Sequence, residues 1–206
     1  MRILIALVGL LCCVAAWPVT VGPVDLIDGL NTGALWAEFH GAGDRAVTGT
    51  IGRTGDQPVT ASIAPGTQFW AQAGGRQGQA TIGSVPVDLT GRRVATITIH
   101  TCCTNLGLPE ATAADTMVPV ASPNPSLAGL LALPGIESRP HMAVQAAVWA
   151  LANDPRGVTI RRALRGELPR SSTQAERGEF CSKMVALAEE LVRSAGLEPR
   201  DYNLFR

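Results

Sequence analysis

Two segments of this chain hold the groups best suited to covalent chemistry. One is His100-Thr101-Cys102-Cys103-Thr104-Asn105-Leu106-Gly107, at the end of an alternating run, and the other is Ala143-Val144-Gln145-Ala146-Ala147-Val148-Trp149, inside a helical pattern. A cysteine thiol can attack a glutamine carboxamide, expel ammonia and leave a thioester, which an amine or hydroxyl can later open to become covalently attached. Such a bond needs a dry, shielded site. Trp149, one turn from Gln145, is a candidate shield, and His141, one turn before it, is a candidate proton carrier.

These groups must be positioned by a strand and a helix. From Arg93 to Cys103 side chains alternate with period two, so Ile97, Ile99, Thr101 and Cys103 share one face, and His100 and Cys102 share the other. If the isoleucines face the core, Cys103 points inward and Cys102 outward. On the helix, His141, Gln145 and Trp149 share a face, and nearly every residue from Met142 to Ala152 is apolar or small, which predicts burial all round. A buried carboxamide needs partners. Hydrogen bonds to sheet backbone would satisfy Gln145 as well as a thioester would.

The surrounding chain reads as strands followed by helices. Short strand patterns at Leu35 to His40, Ala46 to Ile51, Val59 to Ile63, Thr67 to Gln72, Gln79 to Ile82 and Val85 to Leu89 precede the long strand, each closed by Gly, Pro or Asp turn signals. Residues 17 to 32 are punctuated by Pro, Gly and Asp and read as irregular or an edge. Pro109 to Pro125, with four prolines, reads as a long loop. Helices are expected from Pro125 to Leu133, from a Ser138 cap to about Ala152, from Val158 to Arg165, and from a Thr173 capping box to Gly196, the last with Phe180, Met184, Leu187 and Leu191 as its apolar face. The expected fold is α+β: an antiparallel β-sandwich or barrel (17–108) followed by a small helical subdomain (109–206) packed on it.

Arg2, the apolar run Ile3 to Val14 and the small residues Val14-Ala15-Ala16 read as a signal peptide over 1–16. That implies a secreted or cell-envelope protein, with no transmembrane segment in the mature chain. Leu11 directly before Cys12 argues against a lipoprotein signal. The full chain has 17 basic and 17 acidic residues, leaving no field to attract nucleic acid. Past the signal only Cys102, Cys103 and Cys181 remain. An oxidising compartment favours a disulfide from Cys181 to Cys102 or Cys103, with one sulfur left over. No cofactor or metal is expected, since His100 and Cys102 alone do not make a metal site. No phosphate loop or nucleophile elbow is present either, so an enzyme with a dispersed site ranks last.

The stretch Val144-Gln145-Ala146-Ala147-Val148-Trp149 resembles the glutamine motif of bacterial surface thioester domains, and Cys103 matches their cysteine. The likeness is confined to these two stretches. It differs in the cysteine lying only 42 residues before the glutamine and in Cys102, rather than an aromatic residue or Leu, preceding the reactive position. The resemblance implies a β-sandwich with a helical part, and covalent attachment to an amine or hydroxyl on a protein or surface target. The alternative is a secreted structural or interaction domain held by a disulfide to Cys181.

Overall fold

The computed structural model describes residues 23–206. The signal expected over 1–16, and the few residues after it, lie outside the described residues. Strand β1 (Val24–Asp25) leads into a one-and-a-half-turn helix α1 (Leu26–Asn31), capped by the Asp25 carboxylate, which accepts from the N–H of Ile27 and Asp28. There follow β2 (Leu35–Gly41), β3 (Ala46–Arg53), β4 (Val59–Ile63), β5 (Gln68–Ala71), β6 (Gln79–Thr81), β7 (Val85–Leu89), β8 (Val94–Cys103) and β9 (Thr116–Val120). The helices are α2 (Pro125–Leu131), α3 (His141–Asn153), α4 (Gly157–Gly166) and α5 (Gln174–Ser194).

Six strands close into a barrel in the order β2-β3-β8-β6-β5-β9, all neighbours antiparallel, and β1-β4-β7 form a separate three-stranded sheet. The fold is therefore α+β, with a barrel at its centre. Its interior follows from alternation: Phe39, Val47, Ile51, Phe69, Ile99 and Met117 are buried together, with the rings of Phe39 and Phe69 edge to face at 5.0 Å between centroids. Leucine, isoleucine and valine from α1 and the small sheet extend the same core.

Closure depends on β9, which falls inside the stretch expected to be a loop. It pairs with β5 along its length but with β2 only through Met117 and Thr116. Pro119 lies past the end of the β2 pairing, where one edge of β9 is open, and a residue without an N–H is tolerated there. Two other expectations are corrected. Ser138 does not cap α3; it ends a 3₁₀ turn (Ile136–Ser138), its hydroxyl donates to the Gly135 carbonyl, and α3 starts at His141 with Pro140 at the cap position and no side-chain cap. The buried face of α5 is turned from the one expected: Cys181, Val185, Ala188 and Val192 are buried beside Met184 and Leu191, while Phe180 and Leu187 are half-covered. The Thr173–Glu176 capping box of α5 is present in full.

The helices build a second core. Met142 to Leu151 of α3 are all buried, flanked by α2, α5 and α4 and resting on Ala80 of β6, Ile82 just past it and Cys102 of β8. Cys102 therefore points out of the barrel, as alternation requires, yet it is fully buried because the helical layer covers that face. Among the described residues no helix is long and apolar enough to cross a membrane.

The inward face of β3 includes Gly49, opposite Ile97 on one side and Phe39 on the other. A Cβ there would lie 2.2 Å from Phe39 Cδ1 and 2.6 Å from the Glu38 carbonyl oxygen. Since backbone cannot yield as a side chain does, Gly49→Ala is expected to destabilise the fold by about 1–3 kcal/mol, read as a lower urea midpoint at unchanged slope.

Candidate functional site

The register of β8 creates the site. It pairs with β3 from Val94 to His100, and Thr101 N–H still reaches the Arg45 carbonyl at 2.9 Å. Beyond that β3 has ended. The other edge stays occupied by β6, with Thr104 N–H on the Gly78 carbonyl at 2.7 Å. Cys103 thus has its N–H and C=O turned toward the vacated side, and both are buried.

Gln145 fills that gap. The Cys103 N–H donates to Gln145 Oε1 at 2.9 Å, and Gln145 Nε2 donates to the Cys103 carbonyl at 2.6 Å. The carboxamide so reproduces the two-bond exchange of an antiparallel residue pair, from a side chain instead of a strand. It is brought there by α3, whose uniform small and apolar surface lets the helix lie close against β8 and leaves Gln145 only 2 % exposed.

The thiol of Cys103 lies on the barrel-interior face, as its parity predicts, and donates to the Asp44 carbonyl at 3.3 Å. Next to it is a cavity of about 310 Å³, whose lining includes Cys103, Gln145, Trp149, Asp44, Glu110 and Glu167. Burial, with the negative charges of Asp44, Glu110 and Glu167 behind it, pushes the Cys103 thiol up to about 12. Burial and then Asp44 also raise the Glu167 carboxyl from its ordinary value. Trp149 walls the cavity with its indole Nε1 buried and without a partner.

Three of the four residues singled out from the sequence therefore meet. His141 stands apart. It is the first residue of α3, and it lines a neighbouring cavity of about 340 Å³ with Arg45, His100, Glu137 and Arg139. Its Nε2 is buried without a partner. Burial first, then the positive charges of Arg45 and His100 against the opposing Asp44, hold its imidazole below the ordinary histidine value. The acidic groups around Cys103 were not singled out from the sequence: Asp44 belonged to a turn, and Glu110 and Glu167 carried no spacing signal. Cys102, Cys103 and Cys181 are all free thiols, and no disulfide joins Cys181 to either strand cysteine; the Cys181 thiol instead faces the Arg161 carbonyl at 3.7 Å. Among the described residues no three His, Cys, Asp or Glu side chains are grouped to hold a metal ion. Known protein families, curated proteins and solved structures provide no match to this chain.

Two outcomes follow from this geometry. Gln145→Leu keeps the volume but leaves the Cys103 N–H and C=O buried and unpaired, so chemical denaturation should show a loss of about 1–3 kcal/mol for each group. His141 has a lowered folded pKa, so the unfolded chain takes up its proton first and stability falls as pH drops below the ordinary histidine value of about 6.5. The difference in stability between pH 8 and pH 5 should shrink in His141→Gln; equal pH dependence in both proteins would contradict it.

Proposed function

We propose that the chain is an exported binding or adhesion-type module of thioester-domain-like architecture, in which Cys103 and Gln145 form an internal thioester. The observation that carries this reading is the seating of the Gln145 carboxamide on the backbone of Cys103 itself. The Cys103 N–H polarises the carbonyl that its own sulfur would attack, as an oxyanion donor does. Trp149 and Met142 line the cavity beside the pair.

In the proposed reaction Sγ turns from the Asp44 carbonyl and attacks Gln145 Cδ. The S–C bond forms, the C–N bond breaks, and the thiol proton leaves with Nε2 as ammonia. A thiol held near 12 is not ionised at neutral pH, so its proton moves with the attack rather than before it. An amine or hydroxyl of the target then attacks Cδ, the C–S bond breaks, and a proton returns to sulfur. The carboxylates of Asp44, Glu110 and Glu167 around the cavity favour a target group that arrives as an ammonium ion, and one of these carboxylates takes its extra proton before the free amine attacks.

A second reading is favoured by the hydrogen bonding of both ends of the Gln145 carboxamide and by the high thiol pKa. In it the chain is a structural or interaction domain, and the carboxamide only locks α3 to β8.

Intact mass separates the two. A thioester makes the chain cut after Ala16 about 17 Da lighter than its sequence mass, and methylamine then adds about 31 Da. Cys103→Ala should have its full sequence mass and ignore methylamine. Full mass in the wild type, with no methylamine uptake, overturns the thioester and leaves the structural domain.

A further inference from the structure

Gln79, Gln145 and Gln68 are the buried glutamines of the described residues, at 0 %, 2 % and 4 % exposure. Two of them have protein partners. Gln79 donates to the Gly43 carbonyl and accepts from the Thr101 hydroxyl at 3.3 Å, and Gln145 holds the Cys103 backbone. Gln68 differs: its Oε1 is buried with no partner. An orphaned buried amide oxygen costs about 1–3 kcal/mol unless something outside the protein's own groups satisfies it.

Gln68 lines a cavity of about 150 Å³ on the outside of the barrel, where β5 passes beneath the start of α2 and the end of α3. Phe69 faces the barrel interior, so alternation sends Gln68 and Trp70 outward together. Three asparagines and Thr104 complete the polar lining. Asn124 is used at both ends, accepting from Leu127 N–H at 3.1 Å and donating to the Leu151 carbonyl at 3.0 Å. The Asn105 Oδ1 accepts from Gly78 N–H and the Thr104 hydroxyl, which leaves Nδ2 to offer. Asn153 donates Nδ2 to the Thr104 carbonyl, which leaves Oδ1. No residue lining this cavity is charged.

The set on offer is thus two acceptors, Gln68 Oε1 and Asn153 Oδ1, and two donor amides, Gln68 Nε2 and Asn105 Nδ2. An ammonium ion only donates and a carboxylate only accepts, whereas a hydroxyl does both. Beside these amides stands the half-exposed indole of Trp70, packed so closely on Gly78 that a Cβ there would lie 2.5 Å from its ring. A flat apolar ring held next to neutral donors and acceptors matches a sugar, which has C–H groups on one face and hydroxyls at its edge. At about 150 Å³ the cavity is small, so a ring would enter it by its edge. From the unpartnered Gln68 Oε1 and this lining we propose that the cavity is a binding site for a neutral saccharide ring, with its hydroxyls on Gln68, Asn105 and Asn153 and its C–H face on Trp70. This site is independent of the Cys103–Gln145 pair.

The test is ¹H–¹⁵N NMR of the exported chain titrated separately with methyl α-glucopyranoside, methyl β-galactopyranoside and N-acetylglucosamine. N-methylacetamide and inorganic phosphate serve as probes without the sugar's hydroxyls. At least one sugar should shift the Asn105 and Gln68 side-chain amide signals and the Trp70 indole signal, with millimolar affinity. Gln68→Leu and Trp70→Ala should each weaken binding by about tenfold or more, and Trp70→Phe by less. Gln68→Leu should keep or raise Tm, because an apolar isostere replaces an unpaired amide, so its loss of binding is not a loss of fold. The proposal is overturned if no sugar shifts these signals in the wild type. Undiminished binding by a folded Gln68→Leu overturns it too, as do equal shifts from N-methylacetamide or phosphate. Cys103→Ala should bind the sugar as the wild type does, which keeps this result separate from the thioester.

Discussion

The hydrogen-bonded contact between the Gln145 carboxamide and the Cys103 backbone is the constraint on which the joining of the two halves depends. A barrel strand that outruns its neighbour exposes one edge, and in a buried setting that edge must be paired. β8 outruns β3 at Thr101. Extending β3 would solve the problem, but the chain turns away at Gly43 and Asp44. A single helical side chain supplies the missing pair instead. Because that side chain is short and its bonds directional, the depth and rotation of α3 on the barrel are set at this point, and the small residues around Gln145 allow the approach. The remaining helices then pack on α3, which is the centre of the second core.

Much of this was legible in the sequence where local pattern and tertiary environment agree. The long alternation of β8 has no competing signal, so both its extent and the inward parity of Cys103 follow from it. The capping box of α5 is a local hydrogen-bond arrangement and survives any packing. The uniform apolarity of α3 forecasts burial. β9 was hidden because its meaning is non-local. Thr116–Val120 contains a proline and no clean alternation, and it becomes a strand only because the β5 edge and the end of β2 need a partner. The α1 helix was hidden by its length, being made worthwhile by Leu26 entering the barrel core rather than by propensity.

The site was legible in its identities and not in its geometry. Spacing of four correctly puts His141, Gln145 and Trp149 on one helical stripe, but a stripe more than ten ångströms long, at ~1.5 Å per residue, spans two cavities when strand ends and turns divide the space beneath it. Asp44 and Arg45, in the turn just before β3, belong to that division: Asp44 lines the Cys103 cavity and Arg45 the His141 cavity. The partner of Gln145 was unreadable for a different reason. It is a backbone, and backbone groups carry no residue signature; only the ending of β3 at Ala46 reveals which of them are left unpaired.

The same contact bears on the proposed chemistry, since it both prepares and opposes the thioester. Holding Oε1 on the Cys103 N–H keeps the acyl carbon beside the residue whose sulfur would attack it, and that hydrogen bond could persist after the proposed reaction. Nε2, however, leaves as ammonia, and the Cys103 carbonyl then loses its donor. An unpaired buried carbonyl draws water, and water is the reagent that destroys a thioester. The bond can therefore last only if the space vacated by nitrogen stays closed or another donor reaches that carbonyl. The indole N–H of Trp149, buried without a partner one turn along α3, is an unspent donor of the same cavity. In the proposed thioester state that N–H would be a candidate to replace the lost amide, beside the shielding proposed for the ring.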